Sequence, residues 1–460
     1  MPSARRKRLI LNGFTMSAVG HISPGLWRHP DDHAYRYRSL KYWTDLAQLL
    51  ESGGFDALFI ADVLGPIEVY QGKTDAALRN ATQMPVSDPL LAVSAMAAAT
   101  RHLGFGVTVS TSYAQPYLLA RTFSTLDQLT DGRIAWNVVT SMIDSAARNL
   151  GLSEQFDHDE RYDRAQEFLD VTYKLWEGSW EDEAVLRDRA AGVYTDPAKV
   201  HRIDHHGKYY DVVGPHLCEP TPQRTPVIFQ AGASARGQEF AARNAELVFL
   251  GGRDAREIGR SVTQIKRRAA AAGRDPEAIK FITSVTVITG PDDATAQSKH
   301  ADYVGYSSTE GALALFSAFT GHDWSGHDLD EVVQRTETNA SQSTLASGRG
   351  QTLRDIVDTM ALGGLHPTII GGPHRVADQL EALAEEADLD GFNLAHVVSP
   401  GSFEDFIEFV VPELRRRGRL PNNYLPGTLR EKLSETASPA IRDDHPASAY
   451  RIGARATARA

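Results

Sequence analysis

The chain has 460 residues, 42% of them hydrophobic, which suffices for one large α/β domain or two ordinary ones around a packed core. Its 48 basic and 59 acidic residues give a net charge of −11 with no long basic run, so nucleic acid and an anionic membrane surface are excluded as natural partners. The single cysteine, Cys218, rules out an internal disulfide framework and any multi-cysteine metal or iron–sulfur centre, and it points to a reducing cytoplasm.

The N-terminal MPSARRKRLILNGF is basic, but its apolar run is too short for a signal segment, and no stretch is long and apolar enough to span a bilayer. Near-continuous apolar runs at 8–14, 55–62, 102–111, 132–140, 226–233, 245–252, 279–290 and 391–398 predict strands buried on both faces. Amphipathic segments at 41–54, 90–102, 117–132, 256–273, 376–391 and 402–418 predict helices between them. Strands alternating with helices over this length point to a (β/α)₈ TIM barrel, with a doubly wound sheet as the alternative. Long intervals at about 15–38, 64–88, 141–158, 179–225 and 291–365 read as insertions, and those that follow strands gather at the C-terminal, catalytic face of a barrel. The expected organisation is one domain over 1–435 and an extended tail over 436–460, since the chain after about 419 carries too few apolar residues for another core element.

Candidate chemistry follows in the same order. His21 and GLWRHP (25–30) cluster imidazole, indole and guanidinium after the first strand; His21 is a candidate to titrate near neutral pH as a proton or hydrogen-bond donor, and Trp27 reads as a packing anchor. Asp62, Thr108 and Asn137 are polar residues in or at the ends of the second, third and fourth strands, where barrel side chains point into the active-site mouth. In HDERYDRAQEFLD (158–170), His158 and Tyr162 lie one helical turn apart beside Arg161, at a helix start able to hold an anion; a solvated charged helix start is the alternative. His201, His205 and His206 lack a partner carboxylate at a recognised spacing, and no metal site is predicted. GASARG (232–237) follows a strand and opens a helix, so its N–H groups and the Ser234 hydroxyl can meet a phosphate or can simply cap the helix. There is no GxGxxG after a strand, no GxxxxGK[ST] and no HExxH.

The runs GHISPGLWRHP, FDALFIAD, TLDQLTDGRIAWNVVTS, HDERYDRAQEFLDVTYKLWEGSWEDEAV, EPTPQRTPVIFQAGASARG and DGFNLAHVVSPGSFEDFIEFVVPELRRRG together resemble the bacterial-luciferase-like flavin monooxygenases over about residues 8–435. Within that family the chain is most similar to the branch of nitrilotriacetate, dibenzothiophene-sulfone, dimethylsulfide and long-chain alkane monooxygenases. The resemblance implies a barrel of this type with reduced FMN at its C-terminal face. It assigns the flavin phosphate to His158, Tyr162 and Ser234, with Ala233 beside them, and the flavin side of the pocket to Asp62, Thr108 and Asn137. It makes His21 the main candidate for hydrogen-bonding the activated oxygen, with Gln83 second. It further implies a separate NAD(P)H-dependent FMN reductase, a homodimer or homotetramer, and transfer of one oxygen atom from O₂ to a small organic substrate. Where alkane-acting relatives carry polar or thiol groups this chain has Ala18 and Met142, so an apolar pocket wall and an organosulfur or other hydrophobic substrate are expected. The rival readings are a deazaflavin-dependent oxidoreductase of the same superfamily and a metal-dependent barrel hydrolase using the 201–206 histidines.

Overall fold

The computed structural model describes residues 7–232, 234–334, 344, 348–436 and 438–452. Nine strands make the main sheet: β1 (Ile10–Met16), β2 (Ala57–Ala61), β3 (Gly104–Ser110), β4 (Ile134–Val139), β5 (Val227–Ala231), β6 (Leu247–Leu250), β7 (Lys280–Thr289), β8 (Thr368–Gly371) and β9 (Gly391–Ala395). All pair in parallel, and β6 pairs with β7 (Leu247 opposite Lys280) while β9 pairs with both β7 and β1, so eight of the strands close into a barrel. The eight are those expected from the sequence. The strand not foreseen, β8, adds to the outer half of the long β7, Thr286 opposite Thr368.

The helices that cover the barrel include α1 (Leu40–Gly53), α2 (Leu90–Ala99), α3 (Pro116–Leu129), α4 (His158–Gly178), α5 (Ala235–Asn244), α6 (Ala255–Ala271) and, between β8 and β9, α7 (Pro373–Ala387). On α4 the buried stripe Arg161, Tyr162, Ala165, Phe168, Leu169, Thr172, Tyr173 and Trp176 recurs at helical spacing against the strands. The site residues of its first turn are thus the end of its packing face.

Inside the barrel, Phe14, Phe59, Phe229 and Phe249 form one cluster, with Phe59 and Phe229 stacked at 6.0 Å. Gly106 makes room for it: a Cβ there would stand 2.8 Å from the Phe229 ring. The N-terminal end of the barrel is closed by the helix α8 (Leu429–Ser434), whose Leu429 and Leu433 pack against Ile10, Val227 and Leu247 at the starts of their strands. The segment after 419 is therefore more than an outer arm. Its capping box, Thr428 with Glu431, starts the helix, and buried Arg430 ties it to Glu246 and to the Gln223 and Thr225 carbonyls.

Of the long intervals, 15–38, 64–88, 141–158 and 291–365 follow strands and supply walls of the cavity described below; 179–225 does not. That interval leads from α4 into the start of β5, so chain direction sends it to the flank. There it forms two short antiparallel pairs and hangs on Glu167, which accepts the backbone N–H groups of Lys208, Tyr209 and Tyr210.

Candidate active site

At the C-terminal ends of the strands a cavity of about 420 Å³ runs from the first turn of α4 to the loop after β1. One end is built for an anion. Ser234 is the N-cap of α5, and its Oγ accepts from the Gly237 N–H at 3.0 Å. The buried Tyr162 hydroxyl bonds with Ser234 and Thr140, and burial raises its pKa, so it stays a donor. The His158 ring stands edge-on to Tyr162 at 5.3 Å, and its Nδ1 meets Asp159 at 2.8 Å. Arg161, also buried, donates to the Ser141 carbonyl and adds a guanidinium to the wall. The cradle is tight: a Cβ on Gly237 would lie 2.7 Å from the Tyr162 oxygen and 3.0 Å from the Gly232 Cα. Hydroxyls, an imidazole, a guanidinium and the open N–H groups of a helix start fit a phosphate dianion.

Of the other residues singled out in the sequence, Asp62, His21 and Gln83 line the same cavity. Asp62 closes β2, and burial pushes its carboxyl up to about 7, with Asp88 adding to the effect. Gln83 donates from Nε2 to the His21 carbonyl oxygen at 3.1 Å and from its backbone N–H to Gly20 at 2.9 Å, so the two interval loops carry these residues as a pair. His21 itself is buried against Phe14, and desolvation, then His396 and His366, hold its pKa well below the ordinary histidine value. It is a neutral imidazole at neutral pH, which corrects the expectation that it titrates there.

Thr108 and Asn137 face each other in register on β3 and β4, and Asn137 donates to the Thr108 hydroxyl at 2.9 Å. They are not among the residues lining the cavity, and the Asn137 Oδ1 is buried without a partner among the described residues. Ala233 lies outside the described residues. Met142 is part of the apolar wall with Phe14, Ile22, Leu64, Ile143 and Phe319, whereas Ala18 sits aside in a bridge to Val86. Trp27, expected as a packing anchor, is 43% exposed, while its neighbour Leu26 takes the buried position.

The three histidines of the 201–206 segment have separate partners: His201 meets Glu181, His205 lies between Lys174 and Glu167, and His206 meets Asp211. Among the described residues no group of three or more His, Cys, Asp or Glu could hold a metal ion. None of their helices is long and apolar enough to cross a membrane.

Arg161, placed at the helix start by the sequence, continues the buried stripe of α4; sequence reasoning missed His366 and His396, which carry no motif and meet His21 only through the fold.

The family description "Luciferase-like monooxygenase" matches residues 22–390. The chain is 52% identical to dimethyl-sulfide monooxygenase of Hyphomicrobium sulfonivorans, over 97% of this chain and 94% of that protein. It is 50% identical to long-chain alkane monooxygenase of Geobacillus thermodenitrificans, over 97% and 98% respectively. A riboflavin lyase solved with modified FMN and riboflavin superposes with a TM-score of 0.92 at 39% identity, covering 97% of this chain and all of that one.

Proposed function

The chain belongs to the luciferase-like monooxygenases, and from that membership we propose that it is the oxygenase half of a two-component system, acting with reduced FMN and O₂ on a small or lipophilic uncharged organic molecule. The observation that carries this reading is the polarity of the cavity. His158, Arg161, Tyr162 and Ser234 collect at one end, and an apolar wall follows toward His21. FMN brings one phosphate and a ring, and those two ends receive them. When bound, the reduced flavin supplies the electrons that activate O₂.

What the chain adds is binding, exclusion of water and proton placement. Phe14, Ile22, Met142, Ile143 and Phe319 keep the reacting end dry. Asp62, with its carboxyl near half-protonation at neutral pH, holds a proton there, and neutral His21, set by Gln83, offers a hydrogen bond without a charge. Among the described residues the lining at this end includes no Lys or Arg to pair with a carboxylate substrate, which favours the dialkyl sulfide or hydrocarbon class over polycarboxylates.

A nicotinamide dinucleotide would need a second pyrophosphate site, and the described residues offer one phosphate cradle in this cavity. Electrons therefore come from a separate NAD(P)H-dependent flavin reductase. The test is anaerobic stopped-flow mixing of the FMN-loaded protein with NADH or NADPH. Flavin bleaching only after a reductase is added, followed by an oxygenated product on admitting O₂, is the expected result; rapid bleaching by the chain alone overturns the two-component assignment.

A further inference from the structure

Three histidines from distant stretches meet at the reacting end of the cavity. His21 lies in the loop after β1, His366 two residues ahead of β8, and His396 directly after β9. His21 and His366 line the cavity, the first edge-on to Phe14 at 4.5 Å, the second 6.0 Å from Phe249. His396 stands behind, 6.5 Å from His21 between ring centroids and stacked on Phe403 at 5.5 Å.

The Nδ1 atom of each of the three is buried and has no hydrogen-bond partner among the described residues. Of the other buried histidines, His445 is satisfied at both ring nitrogens, by the Asn244 carbonyl and the Ala447 N–H, whereas His216 also keeps an unpartnered Nδ1. A buried imidazole without partners is costly; the Nδ1 atoms are sealed away, but the His21 and His366 rings line the cavity and hydrogen-bond to no described residue, so the pair marks a place where a ligand supplies a missing bond at the other ring nitrogen. Burial holds His366 and His396 at about 4, and His21 is lowered too, so at neutral pH the group offers donors and acceptors but no charge.

We propose that His366, with His21, forms a hydrogen-bonding pole for one uncharged oxygen or sulfur atom of the substrate, and that His396 is a positioning residue acting through His21. This rests on the cavity being the substrate cavity of a monooxygenase. The class selected is a molecule with an apolar body and one neutral polar atom, against a bare hydrocarbon on one side and a carboxylate on the other. His366 then sets specificity, because an apolar wall alone separates such ligands poorly while a polar group left unpaired discriminates strongly.

The test is equilibrium binding without turnover. The FMN-loaded protein is titrated with di-n-propyl sulfoxide, n-heptane and heptanoate, following the flavin spectrum. The sulfoxide is expected to bind at least tenfold more tightly than either of the others. His366→Phe should erase that preference with FMN affinity unchanged, and His366→Gln should restore most of it. His396→Phe should weaken sulfoxide binding in the parent but have no further effect in a His21→Phe background. Equal binding of the three ligands by the parent overturns the proposal, and needs no variant to fold; so does an unchanged preference in His366→Phe. Failure of the oxygenase assignment reads differently: the parent would bind the sulfoxide selectively yet give no oxygenated product with reductase, NADH and O₂.

Discussion

The Tyr162 hydroxyl lies where a side chain at Gly237 would begin, 2.7 Å from an added Cβ. Gly237 is also the residue whose N–H binds the Ser234 cap, so the start of α5 and the first turn of α4 are held together by the absence of a methyl group. Gly237→Ala would push Tyr162 off Ser234, because the Gly232 backbone blocks retreat on the other side. FMN affinity should fall about tenfold or more, roughly 1.4 kcal/mol. Fluorescence titration of FMN checks it, and parent-like binding would place the phosphate elsewhere.

With the FMN phosphate at this end of the cavity, as proposed, His158 and Ser234 would each give the dianion a hydrogen bond of the stronger, charge-assisted kind. His158→Ala and Ser234→Ala should each cost on the order of 1–3 kcal/mol of binding, or about ten- to a hundredfold in FMN affinity. Ser234→Ala also removes the cap of α5, so Tm must be read alongside; a loss of Tm with FMN affinity intact would make Ser234 a cap and nothing more.

Much of this site is readable before folding because local periodicity carries it. His158, Arg161 and Tyr162 continue one helical stripe, and Ser234 to Gly237 sit at a strand-to-helix turn, so backbone geometry alone brings each set to the barrel mouth. Thr108 and Asn137 illustrate the limit. Strand alternation turns them inward, but what an inward polar residue meets depends on register: here the register sets the Asn137 Nδ2 on the Thr108 hydroxyl and leaves the Asn137 Oδ1 without a partner among the described residues. His366 and His396 were illegible because nothing in their flanking residues predicts His21. The buried Leu429 was missed because a single turn of helix in a polar tail has too few apolar positions to show a period.

Asp62 supplies an ionisation inside the cavity. Burial, then Asp88, place its carboxyl at about 7, so it carries a proton below neutrality and loses it as pH rises through that value. If that proton is used in turnover, kcat should decline above pH 7 in the parent, and Asp62→Asn should remove this limb while lowering the plateau. Profiles of kcat from pH 5.5 to 9 for both proteins decide the matter; superimposable shapes would leave Asp62 with a binding role alone.

Acid should destabilise the fold earlier than carboxylate chemistry alone would. Burial holds His216, His366 and His396 at about 4 and His445 at about 3. A depressed histidine contributes stability that is full above the unfolded value of about 6.5 and is lost as pH falls toward the folded value. Asp32 and Asp62, raised to about 6 and 7, and Asp127 and Asp170, also raised by burial, act with the opposite sign, but His21 and His322 are lowered too, and six lowered histidines outweigh four raised carboxyls. Tm should therefore fall between pH 6.5 and 4.5. His216→Gln, which keeps a hydrogen-bonding group near Ser124, should flatten the slope; an unchanged slope would show that His216 is not protected from protons.

The plug at the opposite end of the barrel separates stability from catalysis. Leu429 is completely buried, and the space it fills exists because Gly104 has no side chain: a Cβ there would come within 2.6 Å of the leucine. Leu433, one turn on, shares the pocket between Ile10, Val227 and Leu247. The surrounding strands cannot collapse into a void, since the parallel ladders fix their spacing and Arg430 anchors the helix to Glu246. Leu429→Ala should thus leave most of its cavity open and cost about 2–5 kcal/mol of unfolding free energy. Because the barrel interior above it is packed by Phe59 and Phe229, the loss should not reach the flavin end. Urea unfolding should show a lower midpoint at unchanged slope, and FMN affinity at 20 °C should match the parent. A weakened FMN affinity instead would mean that the plug sets the strand positions at the mouth, and that the two ends of the barrel are mechanically coupled.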